Sequence, residues 1–140
     1  MVLELLLAAS VIVLVDQASK KIAATKYKEG QSFSQPRLAQ LDYVTSAVSC
    51  LGFTRNRLVL LLLWGFATIN IIFLVEHGFF QSLVAQVGLG VAIGGATSNL
   101  LDRFWREGVI DFINLGFGFV FNFADVAILL GVPVALWFIC

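Results

Sequence analysis

Residues 79–103 read FFQSLVAQVGLGVAIGGATSNLLDR, and nothing in them ionises before Asp102 and Arg103. A helix needs about 20 mostly apolar residues to cross the hydrocarbon core of a bilayer. The run Phe79–Leu101 meets that length and ends in charge. It also carries Gly88, Gly90, Gly94 and Gly95. In a soluble helix each glycine costs about 1 kcal/mol relative to alanine. In a membrane the same residues let helices approach closely, and Gly90-xxx-Gly94 fits that pattern. A nucleotide loop is the other reading of Gly88-Leu-Gly90. It is set aside because the next glycine falls one residue late for G-x-G-x-x-G and no βαβ unit surrounds it.

The rest of the chain follows suit. Its 140 residues suit one domain. They are 59% hydrophobic and 13% charged, with mean hydropathy +0.93. A soluble domain has about 25% charged residues. Leu58–Val75 and Phe117–Cys140 are further apolar runs, and Met1 to about Lys20 is a fourth, interrupted by Glu4 and Asp16. These runs predict a mainly α membrane protein with helices over about 1–20, 58–75, 79–101 and 117–140. Residues 21–57 are polar and predict an extramembrane lobe of short strands or irregular structure. The first run lacks the basic start of a cleaved signal peptide, so it reads as a retained helix. Two cysteines (Cys50, Cys140) and one histidine (His77) are too few for a Cys/His zinc site, and the cysteines read as free thiols. No metal or cofactor is expected. Zero net charge argues against nucleic-acid binding.

An acid inside an apolar span is costly unless it is used or paired. Asp125 lies within Phe117–Cys140, and its neighbours in sequence offer it no partner. Asp16 and Asp102 close the first and third spans, and Asp111 sits in the apolar Val109–Ile113. With four helices, the loops after helices 1 and 3 share one membrane face. That face gathers Asp16, Asn99, Asp102, Arg103, Asp111, Asn122 and Asp125. Two close carboxyl groups resist double ionisation and share a proton. Such a pair can act as base and acid on one water. Bland alternatives stand beside this. Asp102-Arg103 reads as an interfacial ion pair, and Asp16 and Lys20 as an i,i+4 salt bridge. Asn99 and Asn122 read equally as interhelical hydrogen-bonding residues.

Four segments resemble one family. Val15-Asp16-Gln17-Ala18-Ser19-Lys20, Gly94-Gly95-Ala96-Thr97-Ser98-Asn99-Leu100-Leu101-Asp102-Arg103, Gly108-Val109-Ile110-Asp111-Phe112-Ile113 and Val120-Phe121-Asn122-Phe123-Ala124-Asp125 resemble the D-Q-x-x-K, G-G-A-x-G-N-x-x-D-R, G-x-V-D-F-I and F-N-x-A-D motifs of bacterial signal peptidase II. They occur in the family's order and spacing. The resemblance implies four transmembrane helices, with a β-cradle between helices 1 and 2. It implies an aspartic endopeptidase that removes signal peptides from prolipoproteins bearing a diacylglyceryl-cysteine, and that globomycin inhibits. Asp111 and Asp125 match the catalytic pair. Asp16, Lys20, Asn99, Asp102, Arg103 and Asn122 match the polar set around it. The protein is expected to be a monomer in contact with membrane lipid, in the bacterial inner membrane, with its site toward the periplasm.

Three departures bear on substrate. The family's N-x-G-x-A-F segment is replaced by Ser46-Ala47-Val48-Ser49-Cys50-Leu51, the glycine before Asn99 is Ser98, and the serine after the second aspartate is Val126. An altered-specificity member, or a non-catalytic one that binds lipidated segments, is the alternative these raise. A small transporter is a third reading, but it would spread its acids along a path through the membrane. Charge alone would put the loops after helices 1 and 3 in the cytoplasm, because all nine Lys and Arg residues lie there. The family has them outside, and the expectation follows the family.

Overall fold

Backbone groups in an apolar span cannot be satisfied by water, so such spans close their own hydrogen bonds as helix. In the computed structural model, which describes residues 2–26, 32–33, 40–46, 56–106, 108–114 and 120–139, four helices do this. They are α1 (Val2–Lys26), α2 (Arg57–Glu76), α3 (Leu83–Trp105) and α4 (Phe123–Trp137). By length and composition, α1, α2 and α3 can each cross a membrane, while α4 is a shorter apolar helix. Exposed Leu62, Phe66, Leu129 and Leu14 form the outer face, so the most apolar surface points away from the protein.

Helix α3 is the hub. Of its apolar window 56% is buried in the protein, against 11% for α1 and 6% for α2. Its glycines are the reason. A Cβ on Gly94 would lie 2.6 Å from the carbonyl oxygen of Ala9 on α1. A Cβ on Gly95 would collide with the carbonyl oxygen of Ala124 on α4. The backbones of α1 and α4 therefore press directly on α3 from two sides. Between α2 and α3, Gly78 and Phe80 take positive φ values of 85° and 58° in the tight turn. The side-chain amide of Gln86 donates to the carbonyl oxygen of Phe80 and closes that turn.

A four-stranded antiparallel sheet, β1 (Ser32–Phe33), β2 (Gln40–Ser46), β3 (Val109–Asn114) and β4 (Val120–Phe121), runs in the order β1-β2-β3-β4. The cradle is therefore not confined to residues 21–57. Two of its strands come from the segment between α3 and α4, where Val44 pairs with Asp111 and Thr45 with Ile110. Ile110 and Phe112 pack on Ala23 of α1. Side chains alternate along a strand, so Asp111 takes the opposite face.

The limits of three helices differ from expectation. Helix α3 runs Leu83–Trp105 rather than 79–101, because Gly78 and Phe80 belong to the turn and Ser82 is the N-cap. Helix α1 continues to Lys26, because Lys21, Ala23 and Ala24 are good helix formers and no breaker precedes Gly30. Helix α4 begins at Phe123 rather than about 117, because Val120–Phe121 is extended and paired to β3 and Asn122 is the N-cap. The free-thiol reading of Cys50 and Cys140 falls outside the described residues, as does most of the altered segment after Ser46.

Gly94→Leu should lower the thermal midpoint of the detergent-solubilised protein, by overpacking worth about 1–3 kcal/mol. Gly65→Leu on α2, where nothing lies within 4 Å of an added Cβ, should leave the midpoint unchanged. Thermal melts of both variants check the difference.

Candidate active site

A fully buried lysine organises the membrane face where α1 and α3 end. Lys20 has no solvent exposure. Its ammonium lies 2.6 Å from Asp16 Oδ2 and 2.7 Å from Asp102 Oδ2. It also donates to Asn99 Oδ1 at 2.9 Å. Three oxygens thus surround the ammonium, two of them carboxylate. Burying an unpaired charge would cost several kcal/mol. The second carboxylate of the cluster is balanced as well, because Arg106 pairs with Asp102 Oδ1. Two acids and two bases thus cancel.

The free ends of this cluster hold α4. Asp16 Oδ1 accepts the Ala124 backbone N–H at 2.8 Å, which caps the first turn of α4 from α1. A carboxylate there also faces the positive end of the helix dipole. Asn122 caps the same turn from within the chain. Its side-chain oxygen accepts the Asp125 N–H at 3.0 Å, and Asp125 Oδ2 accepts the Asn122 N–H at 3.2 Å. Asp125 therefore does have a partner in sequence, three residues back, contrary to the expectation above. The capping box fixes its carboxylate at the top of α4 rather than deep within it.

Asn99 and Asn122 connect this turn to Asp111. Asn99 Nδ2 donates to Asp125 Oδ1 at 2.8 Å. Asn122 Nδ2 donates to Asp111 Oδ1 at 2.7 Å, with Asn99 Oδ1 and the Ile110 carbonyl oxygen at 3.2 and 3.3 Å. Asn122 thus binds both aspartates, one through its side chain and one through its backbone. Asp111 is 4% exposed and Asn122 fully buried, whereas Asp125 is half-buried. The site therefore opens on the Asp125 side. Among the described residues, no three His, Cys, Asp or Glu side chains are grouped as a metal site would need.

Seven of the eight candidates join one hydrogen-bonded assembly: Asp16, Lys20, Asn99, Asp102, Asp111, Asn122 and Asp125. Arg103 stands apart from it. The expected Asp102–Arg103 pair does not form, and Arg106 takes its place. Adjacent helical residues point in different directions, while residues four apart share a face. Arg103 instead lines a groove of about 390 Å³ between α2, α3 and α4, together with Leu63, Ile71, Ile128, Val132 and Asn99. Sequence reasoning assigned no role to Arg106 or Gln17, and it read Ser98 as a departure on the substrate side rather than as part of this assembly. The i,i+4 spacing of Asp102 and Arg106, the same as that of Asp16 and Lys20, was the available signal for the first. Gln17 Nε2 donates to Asp102 Oδ1 at 2.9 Å, and nothing in the sequence announced that contact.

The same arrangement of chain occurs in known proteins. Two bacterial membrane enzyme structures obtained by the in meso method, at 2.3 and 1.9 Å resolution, each superpose with a TM-score of 0.80 at 25% identity. Each match covers 95% of this chain, and 85% and 90% of the respective solved chains. A lipoprotein signal peptidase of Pelotomaculum thermopropionicum is 32% identical over 135 residues, covering 91% of this chain and 86% of that protein. The sequence model of signal peptidase (SPase) II matches residues 8–140. With nearly its whole length matched and its polar assembly built from the four motifs, the chain belongs to the signal peptidase II family.

Proposed function

We propose that this chain removes the signal peptide from prolipoproteins that carry a diacylglyceryl-cysteine, acting as an aspartic endopeptidase through Asp111 and Asp125. Membership of the signal peptidase II family supports the lipoprotein signal peptide as substrate. The observation that carries the aspartic mechanism is the double attachment of Asn122, whose side chain binds Asp111 and whose backbone binds Asp125. It ties the two carboxyl groups to one residue, which also contacts Asn99 on the lining of an apolar groove.

The chemistry needs one proton shared between the pair. The ionised carboxylate takes a proton from water as the oxygen attacks the scissile carbonyl. The protonated partner donates to the carbonyl oxygen, giving a tetrahedral intermediate. Collapse of that intermediate breaks the C–N bond, and the proton held by the base passes to the leaving amine. Asn99 and Asn122 hold the carboxylates in place during these transfers, so little reorganisation is required. The groove supplies an apolar bed for the membrane-embedded substrate, and the Arg103 guanidinium offers donors to its carbonyl or ester oxygens. The residues named here lie at one end of the helices. We place that end toward the periplasmic face of the bacterial inner membrane, with the chain working as a single-domain monomer surrounded by lipid. The non-catalytic alternative has no observation in its favour among the described residues.

Asp111→Asn and Asp125→Asn should each lower turnover of a diacylated prolipoprotein by roughly a thousandfold or more, as loss of a catalytic group does. Both variants should still insert and fold. Cleavage assays on the purified variants read this directly, and turnover surviving in either would refute the pair. Lys20→Met should destabilise the protein by about 3–5 kcal/mol, because it leaves two buried carboxylates with Arg106 as their one remaining counter-charge. Denaturation in detergent micelles measures that loss.

A further inference from the structure

Ser98 occupies the position where the motif of the resembling family has glycine, and the structure gives its hydroxyl two partners. Ser98 is fully buried. Its Oγ donates to Asp16 Oδ2 at 2.7 Å and accepts from Gln17 Nε2 at 2.8 Å. Gln17 Nε2 also lies 3.2 Å from the Ser98 carbonyl oxygen, and Arg106 donates to Gln17 Oε1 at 3.1 Å. The hydroxyl therefore sits where α1 meets α3, with its proton committed to Asp16. It lines no part of the groove and cannot reach substrate.

The other oxygen of Asp16 holds the Ala124 N–H, and the next residue is Asp125. We infer that Ser98 is a positioning residue, which fixes the Asp16 carboxylate so that Asp16 in turn fixes the first turn of α4 and the Asp125 carboxylate. The inference rests on the reading of Asp125 as catalytic. The geometry is a lever of three links. Ser98 orients one oxygen of Asp16, Lys20 shares that oxygen at 2.6 Å, and the second oxygen is thereby aimed at Ala124. With glycine or alanine at residue 98, Lys20 would be the one remaining partner of Asp16 Oδ2, and an ammonium exerts no directional preference comparable to that of a fixed hydroxyl. A carboxylate free to rotate would loosen the cap. Misplacement of a reacting group by about 1 Å costs up to about a hundredfold in rate.

The test compares Ser98→Ala and Ser98→Cys with the unaltered chain. Ser98→Ala should lower kcat for a diacylated prolipoprotein about tenfold with KM unchanged, because the groove is untouched. Ser98→Cys keeps a weaker donor and should fall between the two. Amide hydrogen exchange over residues 120–126 should speed up in the same order, with Ala124 most affected. A kcat for Ser98→Ala equal to that of the unaltered chain, a loss confined to KM, or unchanged exchange at Ala124 would each overturn the inference. If Ser98→Ala does not fold, the kcat and exchange rate of Ser98→Cys decide alone, and values equal to those of the unaltered chain overturn it. Should Asp111→Asn and Asp125→Asn retain turnover, the aspartic reading falls. The exchange measurement then still judges whether Ser98 braces α4.

Discussion

A lysine ammonium with no access to water holds the functional end of this protein together. Lys20 draws Asp16 of α1, Asp102 of α3 and Asn99 of α3 to within 2.6–2.9 Å. Removing a charge from water is unfavourable in any setting and more so at a membrane surface, so the cluster persists only as a complete set. Completeness is what gives it geometric force. Each acceptor that satisfies Lys20 has a second group committed elsewhere. Asp16 reaches α4, Asp102 reaches Arg106 and Gln17, and Asn99 reaches Asp125. Through them one buried charge sets the relative positions of three helices.

Helix packing makes that convergence feasible. Glycines on α3 let the backbones of α1 and α4 come close enough for short side chains to bridge them. An aspartate on α1 reaches the Ala124 amide of α4 where the backbone of α4 presses on Gly95. The more loosely packed α2 contributes a different property. With Val75 as its buried residue, it leaves the apolar groove open beside α3 and α4. One side of α3 is thus closed and polar at its end, and the other is open and apolar. A substrate whose signal peptide lies in the membrane needs both.

The sheet does the remaining work. Strand β3 carries Asp111 with Ile110 and Phe112 anchored on Ala23, so the aspartate is turned toward α4 by the alternation of the strand. One aspartate is held by a strand and the other by a helix cap, and Asn122 joins them. Both supports are rigid elements rather than free loops, as the proposed catalytic pair requires.

By itself the sequence determined the apolar helices, the acids stranded among apolar residues and the four motifs, because hydropathy, length and local spacing are properties of neighbours along the chain. The i,i+4 pairing of Asp16 with Lys20 was readable for the same reason. Asp125 was legible as an anomaly, though its partner Asn122 was overlooked because a capping box depends on where the helix starts. Only the tertiary structure decided that Arg106 rather than Arg103 pairs with Asp102, that Val109–Asn114 and Val120–Phe121 complete the cradle, and that Ser98 and Gln17 belong to the polar assembly. Those contacts join residues far apart in the chain or turn on which way a helix faces. They exist because glycine-lined backbones bring α1, α3 and α4 together, and no pattern along a single segment records that approach.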